Sequence, residues 1–332
     1  MSVVQSMMNP ETYDEKVDRV RLIQTHISWV FLTGKYAYKV KKPVNFGFLD
    51  YTTLEKRRHF CEEEIRLNRR FSPEMYLGVL PIAREDGGFK INGAGDAVEY
   101  AVKTLEMPQD ALLSNRLKDG RVGAGMIGDI AKTVADFHGR AETGGDVNEG
   151  GSVRTIRFNW DENFEQTREF VGATLSKEQF VLTSEKVGDF ISRNETLFGR
   201  RIEDGRIRDC HGDLHSQSIF VTDRVFLFDC IEFNTRFRYS DVAAEVAYLA
   251  MDLDYHGRAD LSEHFVSKYL DFSPDGQMTA LLPFYQCYRA YVKGKVVSFR
   301  LNDDKTSQAE RDAARESARI YFGLSVKYAR LL

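Results

Sequence analysis

The pattern of apolar and polar positions divides the chain into a strand-rich first third and a helix-rich remainder. Strand-like apolar runs fill residues 17–33. Tyr36–Lys41 then alternates, which places Lys39 and Lys41 on the face opposite to the two tyrosines. Thr53–Arg70 has the apolar period of a helix, with Thr53 as N-cap and Pro73 beyond its end. This pattern predicts a small sheet that carries one helix.

Two further strands are predicted before the pattern changes. They lie near Gly78–Ala83 and at Ala97–Leu105, and the Gly-rich turn Glu85–Gly95 separates them. Beyond Met107-Pro108 the period becomes helical, interrupted only by a strand–loop–strand hairpin over about residues 208–230. Predicted helices lie at Ile127–Arg140, within 158–200, and at Ala243–Leu253, Phe284–Leu301 and Gln308–Leu331.

The sequence therefore predicts an α+β, bilobal fold. A small lobe of antiparallel sheet with one helix covers residues 1–107, and a larger, mainly helical lobe covers residues 108–332. The 332 residues, of which 42% are hydrophobic, are enough to form a real core in each part.

Charge and composition remove several classes of function. The net charge is −4 and no Lys/Arg block occurs, so nucleic acid is not an expected partner. The four cysteines form no C-x-x-C pair, which indicates reduced thiols rather than zinc or disulfides. No signal peptide and no apolar run of about 20 residues is present, so we expect a cytoplasmic protein without membrane contact. The pattern does not indicate an oligomeric state.

The strongest chemical signal is the run His211–His215, followed by Phe228-Asp229. It resembles H-R-D-L-x-x-x-N and D-F-G, the two kinase motifs that carry the catalytic and the metal-binding aspartate. Phosphoryl transfer from ATP needs one carboxylate for the attacking hydroxyl and a second for Mg²⁺ on the phosphates. Asp213 and Asp229 fit these roles, but Ser218 stands where an Asn is expected.

The first lobe offers a matching lysine. Tyr36–Lys39 is spaced like the V-A-I-K strand of kinases, whose lysine contacts phosphates and is held by a glutamate on the next helix. Glu64 is the preferred partner because it borders the apolar stripe, and Glu63 is the reserve. The alternative is that Lys39 and Lys41 are two solvated lysines on an edge strand.

Phosphate cover by a glycine-rich loop is not indicated. Neither G-x-G-x-x-G upstream of Lys39 nor a P-loop motif occurs in the chain. Backbone N–H groups near Thr25–Ser28 and the Ser28 hydroxyl are the remaining candidates, and Ser28 could equally be a strand residue with local hydrogen bonds.

Taken together, these motifs resemble the aminoglycoside phosphotransferase-like family, which has a protein-kinase-like fold, and in particular a branch of uncharacterised small-molecule kinases. The block 208–254 carries the specific part of the resemblance. The supporting stretches are Thr25–Phe48, Cys61–Pro81 and Ala135–His138.

The resemblance implies a role for each matching residue. Asp213 would be the catalytic base, Asp229 the principal Mg²⁺ ligand, and Lys39 with Glu64 the pair that positions phosphate. His211 would brace the catalytic loop, Asp241 would pin that loop from below, and the Leu105–Met107 backbone would meet adenine.

Two positions leave alternatives open. A Ser218 hydroxyl is still a hard oxygen donor that could serve the metal; otherwise the protein could be a pseudokinase that binds nucleotide with little turnover. His215 stands where protein kinases have Lys, so it could touch the γ-phosphate or the acceptor, or be a loop histidine satisfied by backbone groups.

We therefore predict an enzyme that transfers the γ-phosphoryl group of ATP, with Mg²⁺, to a hydroxyl of a small molecule such as a sugar, amino alcohol or aminoglycoside-like acceptor. A metallophosphoesterase is disfavoured because no Asn-His pair occurs, and a protein kinase because Asp241 follows Asp229 by only twelve positions. Two charged sets could line the acceptor site, but ordinary surface charge is the preferred explanation of both. The acidic set is Asp161, Glu162, Glu165, Asp252 and Asp254, and the basic set is Arg289, Lys293 and Lys295.

Overall fold

A computed structural model describes residues 2–85, 88–303 and 306–332. The chain forms two compact units, and the first is discontinuous in sequence. Unit 1 comprises the residues up to Asn115 together with Ser218–Thr235, and unit 2 comprises Arg116–Gln217 and Arg236–Leu332. Unit 1 holds the larger sheet and unit 2 most of the helices, so the predicted α+β class is confirmed.

Within the described residues the secondary structure runs as follows. The strands are β1 Arg21–Gln24, β2 Ser28–Leu32, β3 Tyr36–Lys41, β4 Tyr76–Glu85, β5 Gly88–Ile91, β6 Ala97–Leu105, β7 Ile207–Asp209, β8 Ile219–Val221, β9 Val225–Leu227 and β10 Tyr239–Asp241. The α-helices are α1 Val3–Met7, α2 Leu54–Asn68, α3 Leu113–Lys118, α4 Ala124–Arg140, α5 Val153–Thr167, α6 Lys177–Arg193, α7 Glu195–Glu203, α8 Thr235–Arg238, α9 Val242–Tyr255, α10 Ala259–Phe272, α11 Met278–Ser298 and α12 Gln308–Ala329.

An antiparallel sheet forms the frame of unit 1. Its strand order is β1-β2-β3-β6-β4-β5, so β3 is an interior strand rather than an edge. Strand β5 lies inside the predicted Gly-rich turn Glu85–Gly95 and pairs with β4, which corrects that part of the sequence prediction; Asp86 and Gly87 of the turn lie outside the described residues. The sequence pattern missed this strand because Gly88–Ile91 is only 4 residues long and lies in a glycine-rich stretch.

Side chains alternate across this sheet and feed two separate apolar clusters. Ala101 of β6 belongs to a cluster with Tyr38, Val40 and the N-terminal segment, whereas its neighbour Val102 belongs to a cluster with α2 and the β8–β9 hairpin. Lys39 is the register partner of Val102. The lysines of β3 therefore face α2, as their alternation with the tyrosines predicted.

The predicted hairpin over residues 208–230 does not exist as one unit. Strand β7 pairs with β10 in unit 2, while β8 pairs with β9 in unit 1. The physical reason is that Phe220 and Phe226 bury their rings in the α2 cluster of unit 1. The predicted boundary at residue 107 differs from the observed division for the same reason, because 218–235 belongs with the first part of the chain.

Unit 2 is built around α9, which is buried along nearly its whole length from Val242 to Leu253. A helix buried on all faces is apolar all round, and this one breaks the pattern only at a few positions such as Glu245 and Asp252. The sequence prediction missed α10, whose buried positions Leu261, Phe265 and Tyr269 are separated by charged residues.

All four cysteines are free and buried. Cys61 and Cys230 belong to unit 1, and Cys210 and Cys287 belong to unit 2. Among the described residues, none of the helices combines the length and the apolar character that crossing a bilayer requires.

Candidate active site

A cluster of charges in unit 1 centres on Lys39. Its ammonium lies 3.0 Å from Glu64 Oε1 and 2.5 Å from Asp229 Oδ1. Desolvation lowers the lysine pKa, but the carboxylates of Asp229 and Glu64 outweigh it and raise the pKa well above its usual value. Lys39 is therefore held as a cation between a carboxylate of α2 and a carboxylate that follows β9.

Helix α2 sets the position of this cluster. The Thr53 side chain caps its N-terminus by accepting the Lys56 N–H at 3.3 Å. Glu64 is buried and faces the sheet, whereas Glu63 points outward and pairs with Arg66 at 2.6 Å. The structure thus brings Glu64, and not Glu63, to Lys39.

The Asp229 segment is fixed through its backbone while its carboxylate stays open. Asp229 adopts φ of 63°, a left-handed conformation that non-glycine residues rarely take outside functional sites. Its N–H donates to Tyr76 Oη at 3.0 Å, and the next N–H, of Cys230, donates to Asn68 Oδ1 at 3.0 Å. The side chain is 56% exposed, so a ligand can reach it.

Ser218 lies across the hairpin from this segment. It ends the 3-10 turn Ser216–Ser218, and its carbonyl accepts the Phe228 N–H at 3.0 Å. The residue itself is buried, with 3% exposure. The backbone pairing therefore places Ser218 beside the residue that precedes Asp229, and its role as a metal ligand stays a prediction.

Asp213 belongs to unit 2, where its carboxylate has two neighbours. Tyr248 donates its hydroxyl to Oδ1 at 2.7 Å, and His215 Nε2 lies 3.3 Å from Oδ2. The Gln217 N–H donates to His215 Nδ1, which leaves the ring proton on Nε2, facing Asp213. Lys293 Nζ lies 3.3 Å from the same Nε2.

These neighbours keep Asp213 ionised. Burial favours the neutral acid, but His215, Lys293 and the Tyr248 hydroxyl together hold the pKa of Asp213 well below its usual range. The side chain is still 41% exposed, so a substrate hydroxyl can approach it. Asp213 and Asp229 lie in different units, and their predicted convergence on one metal ion stays a prediction.

Glu245, not Asp241, holds the loop that carries Asp213. Its two oxygens accept the N–H groups of His211 at 3.0 Å and Gly212 at 2.7 Å, and His138 Nε2 lies 2.9 Å away. Gly212 has φ of 87°, which explains a glycine at this turn. His211 Nδ1 accepts the Asp213 N–H at 3.3 Å, as expected for a bracing residue.

The prediction that Asp241 pins this loop is wrong. Asp241 caps α9 by accepting the Ala243 N–H at 2.8 Å and forms a two-point ion pair with buried Arg201. Asp241 is the N-cap of α9 and Glu245 lies in its first turn, four residues later, so the sequence alone did not show which of the two reaches the loop.

The remaining predicted nucleotide contacts differ in whether their backbone N–H groups already donate a hydrogen bond within the protein. Ser28 is fully buried at the start of β2, and its N–H donates to Thr25 Oγ1 at 3.0 Å, so this geometry gives a phosphate contact no support. Leu105 donates its N–H to Met75 O at 2.9 Å. No intramolecular hydrogen bond uses the Met107 N–H within the described residues, which leaves that group able to meet a ligand.

In the structure, the members of each of the two charged sets lie in different surroundings. Asp161, Glu162 and Glu165 line an open cavity of about 690 Å³ in unit 2, but Asp252 instead accepts the Ser216 N–H at 2.7 Å. Of the basic set, Arg289 is buried and donates to Gly212 O at 3.1 Å, Lys293 lies beside His215, and Lys295 turns away to Gln166. Lys293 is thus the basic residue next to the predicted catalytic carboxylate.

Sequence comparison connects the chain to mycobacterial relatives. An uncharacterized protein of Mycobacterium tuberculosis and one of Mycobacterium bovis are each 34% identical to it over 293 residues, or 88% of this chain. The chain spans 57% of the length of these curated relatives. No protein-family model matches the chain.

Solved structures identify the fold. A choline/ethanolamine kinase family protein from Mesorhizobium loti superposes with a TM-score of 0.55 over all of both chains, at 10% identity. An ethanolamine kinase from Plasmodium vivax gives a TM-score of 0.50 at 13% identity, over 92% of this chain and 83% of the other. An aminoglycoside phosphotransferase from Alicyclobacillus acidocaldarius also matches, with a TM-score of 0.47 at 14% identity, over 97% of this chain and 95% of the other.

The protein therefore shares the fold of the choline/ethanolamine kinase family protein and of the ethanolamine kinase, which confirms the predicted protein-kinase-like fold class. At these identities the match concerns the fold alone, because one fold hosts many activities.

Proposed function

We propose that this protein is a small-molecule kinase that transfers the γ-phosphoryl group of ATP to a hydroxyl of its acceptor. The Lys39–Glu64–Asp229 cluster is the observation that carries the proposal. A lysine held by a buried glutamate and placed beside an exposed aspartate is the arrangement that binds the phosphates of ATP in kinase folds.

In this proposal Lys39 contacts the α- and β-phosphates, and its ion pair with Glu64 limits the wandering of its flexible side chain. Glu64 can do this because it is itself fixed within α2 and buried. The Met107 N–H, which makes no hydrogen bond within the described residues, donates to adenine. Leu105 cannot do so because its own N–H donates to Met75 O.

Asp213 is the group that meets the acceptor hydroxyl. Tyr248 and His215 fix its two oxygens, and its lowered pKa makes it a carboxylate at neutral pH but a weak base. Such a group orients the hydroxyl first and takes the proton only as the oxygen bonds to phosphorus and the link to ADP breaks. The Lys293 ammonium lies beside His215, near the reacting groups.

The donor atoms suit Mg²⁺. Asp229 offers an exposed carboxylate on a fixed backbone, and Ser218, its neighbour across the hairpin, carries a hydroxyl; both are hard oxygen donors. Asp229 would be the main residue to hold the ion, which supplies neutralisation of phosphate charge when bound.

A second candidate function is a nucleotide-binding pseudokinase, and Ser218 is the observation that favours it. A serine in place of asparagine weakens one metal contact, although both aspartates are present. This candidate differs from the first in one measurable property: it binds Mg-ATP without turning it over.

ATP hydrolysis in the absence of acceptor tests the proposal. We expect slow turnover with Mg²⁺ or Mn²⁺, and a loss of at least about 100-fold in Asp213→Asn and Asp213→Ala because the group that orients the nucleophile is removed. Asp129→Asn, on the exposed face of α4, is the matched control and should match the wild type.

The outcomes separate the two candidates. Equal turnover in the wild type and in both Asp213 variants would remove Asp213 from the reaction. Mg-ATP binding by the wild type with no turnover of any kind would instead favour the pseudokinase. Once turnover is measured, a screen of sugars, amino alcohols and nucleosides for coupled ADP release would identify the acceptor.

A further inference from the structure

Lys41 is a buried charged residue of unit 1 that neither the motifs nor the proposed mechanism uses. It is fully buried, two residues beyond Lys39 on the same face of β3. Its ammonium donates to Glu64 Oε2 at 2.7 Å and forms a second, shorter contact with Glu232 Oε1. The sequence alternative of a solvated lysine is therefore wrong for Lys41.

Glu232 is held from a second side. Tyr51 donates its hydroxyl to the same Oε1 at 2.6 Å, and the Lys41 ammonium lies 5.0 Å from the centre of the Tyr51 ring. The glutamate side chain is only 3% exposed. Glu232 follows Asp229 by three residues, so this contact ties the segment after the predicted metal ligand to strand β3.

The charges of the cluster explain why a second lysine is needed. Glu64, Asp229 and Glu232 are three carboxylates, and each acts electrostatically on Lys39. A buried carboxylate without a counter-ion is strongly unfavourable, so without Lys41 all three would compete for the Lys39 ammonium. A lysine held in that way is less able to turn to a phosphate group.

We propose that Lys41 is a positioning residue that serves as the dedicated counter-ion of Glu232 and of the second oxygen of Glu64, and so leaves Lys39 available for the phosphates of ATP. Glu64 then uses one oxygen for each lysine, and Tyr51 keeps Glu232 turned toward Lys41. This inference rests on the proposed function, because it assigns Lys41 a task in nucleotide binding.

Mg-ATP affinity and the steady-state constants of ATP hydrolysis test the inference in a charge-balance series. In Lys41→Met and Lys41→Gln, we expect Mg-ATP to bind at least tenfold more weakly, because Glu232 loses its counter-ion and competes for Lys39. In Lys41→Met/Glu232→Gln both buried charges are gone, and we expect affinity within threefold of the wild type. Lys90→Met, an exposed lysine of β5, is the control and should leave the affinity unchanged.

A purely structural role would give a different result. It would lower the melting temperature of Lys41→Met and restore it in the double variant, but the folded fraction of each variant would bind Mg-ATP like the wild type. Unchanged affinity in folded Lys41→Met or Lys41→Gln therefore overturns the inference.

The double variant supplies a second test that does not require the single variants to fold. A loss of more than tenfold in its affinity would mean that Lys41 acts on the nucleotide by some way other than charge balance, which also overturns the inference. Failure of the wild type to bind Mg-ATP would instead overturn the proposed function and the inference with it, so the two failures are distinguishable.

Discussion

At the scale of single residues, Ser218 is the position where this chain departs most clearly from the kinase pattern. Its carbonyl is fixed by the Phe228 N–H, so the residue cannot shift far toward a metal at Asp229. A serine hydroxyl is also shorter than an asparagine amide. Both facts indicate that Ser218 would act on a metal weakly, at most through a water molecule.

Ser218→Asn should therefore bind Mg-ATP more tightly, by about tenfold, because a longer oxygen donor can reach the ion directly. The measurement is a binding titration of ATP at fixed Mg²⁺. The same titration in EDTA is the control, and it should show no difference between the two proteins. Equal affinities in Mg²⁺ would mean that position 218 does not touch the metal.

At the scale of elements, Glu245 connects helix α9 to the loop that carries Asp213. That glutamate is fully buried and accepts two loop N–H groups. Burial favours the neutral acid, but His138, His211 and the loop amides outweigh it and lower the pKa of Glu245 to about 2. The folded state therefore stabilises the ionised form of Glu245 relative to the unfolded chain.

Glu245→Gln should destabilise unit 2 by about 3 kcal/mol at pH 7, because one pKa unit corresponds to about 1.4 kcal/mol. A lowered pKa gives stability that is present above the unfolded value, near 4.5, and is lost as the pH falls toward 2. The difference from the wild type should thus shrink below about pH 4.5.

Urea unfolding followed by Trp160 fluorescence in a Trp29→Phe background measures this effect, since Trp160 is buried in unit 2. Glu263→Gln on the exposed face of α10 is the control. A difference that stays constant between pH 7 and pH 3 would show that the ionised form of Glu245 is not what stabilises the loop.

At the scale of the whole molecule, the notable property is that unit 1 draws on two separate parts of the chain. Phe220 and Phe226 complete the apolar cluster that packs against α2. Ser72 donates its hydroxyl to Leu227 O at 2.7 Å. Leu112 forms a β-bridge with Phe220, so the two points where the chain leaves and re-enters the unit lie close together.

Residues 1–115 alone should consequently fail to fold, whereas residues 1–115 joined by a short glycine–serine linker to residues 218–235 should melt cooperatively. The added segment supplies two buried aromatic rings, each a contribution on the order of 2–3 kcal/mol. It also supplies Glu232, without which the buried Lys41 loses one of its two carboxylate partners. Circular dichroism on both polypeptides tests this, and Phe226→Ala in the joined form should remove most of the gain. Equal melting curves for the two polypeptides would contradict the discontinuous unit.

Much of this organisation could be predicted from the sequence. The period-two pattern of Tyr36–Lys41 identified β3 and its two faces, and the Thr53 cap and apolar stripe identified α2 and favoured Glu64 over Glu63. These features depend on local propensity and periodicity, which the sequence records directly.

Other parts depended on contacts that are distant in sequence. The split of the predicted 208–230 hairpin follows from where Phe220 is buried, and Tyr248 reaches Asp213 from a helix 35 residues later. The Lys41–Glu232 pair also joins positions 191 residues apart, and Lys41 lies in a strand that carries a second lysine, so the pattern did not mark it as buried.

The buried cysteines allow the opening of each of the two units to be followed separately, without an engineered probe. Burial raises the pKa of the Cys61 and Cys287 thiols to about 12 and that of Cys210 well above its usual value, so in the native state these sulfurs barely react with alkylating reagents. Each unit holds two of the four. Alkylation of the wild-type protein over time, followed by mass spectrometry to identify the modified cysteines, would therefore show which unit opens first.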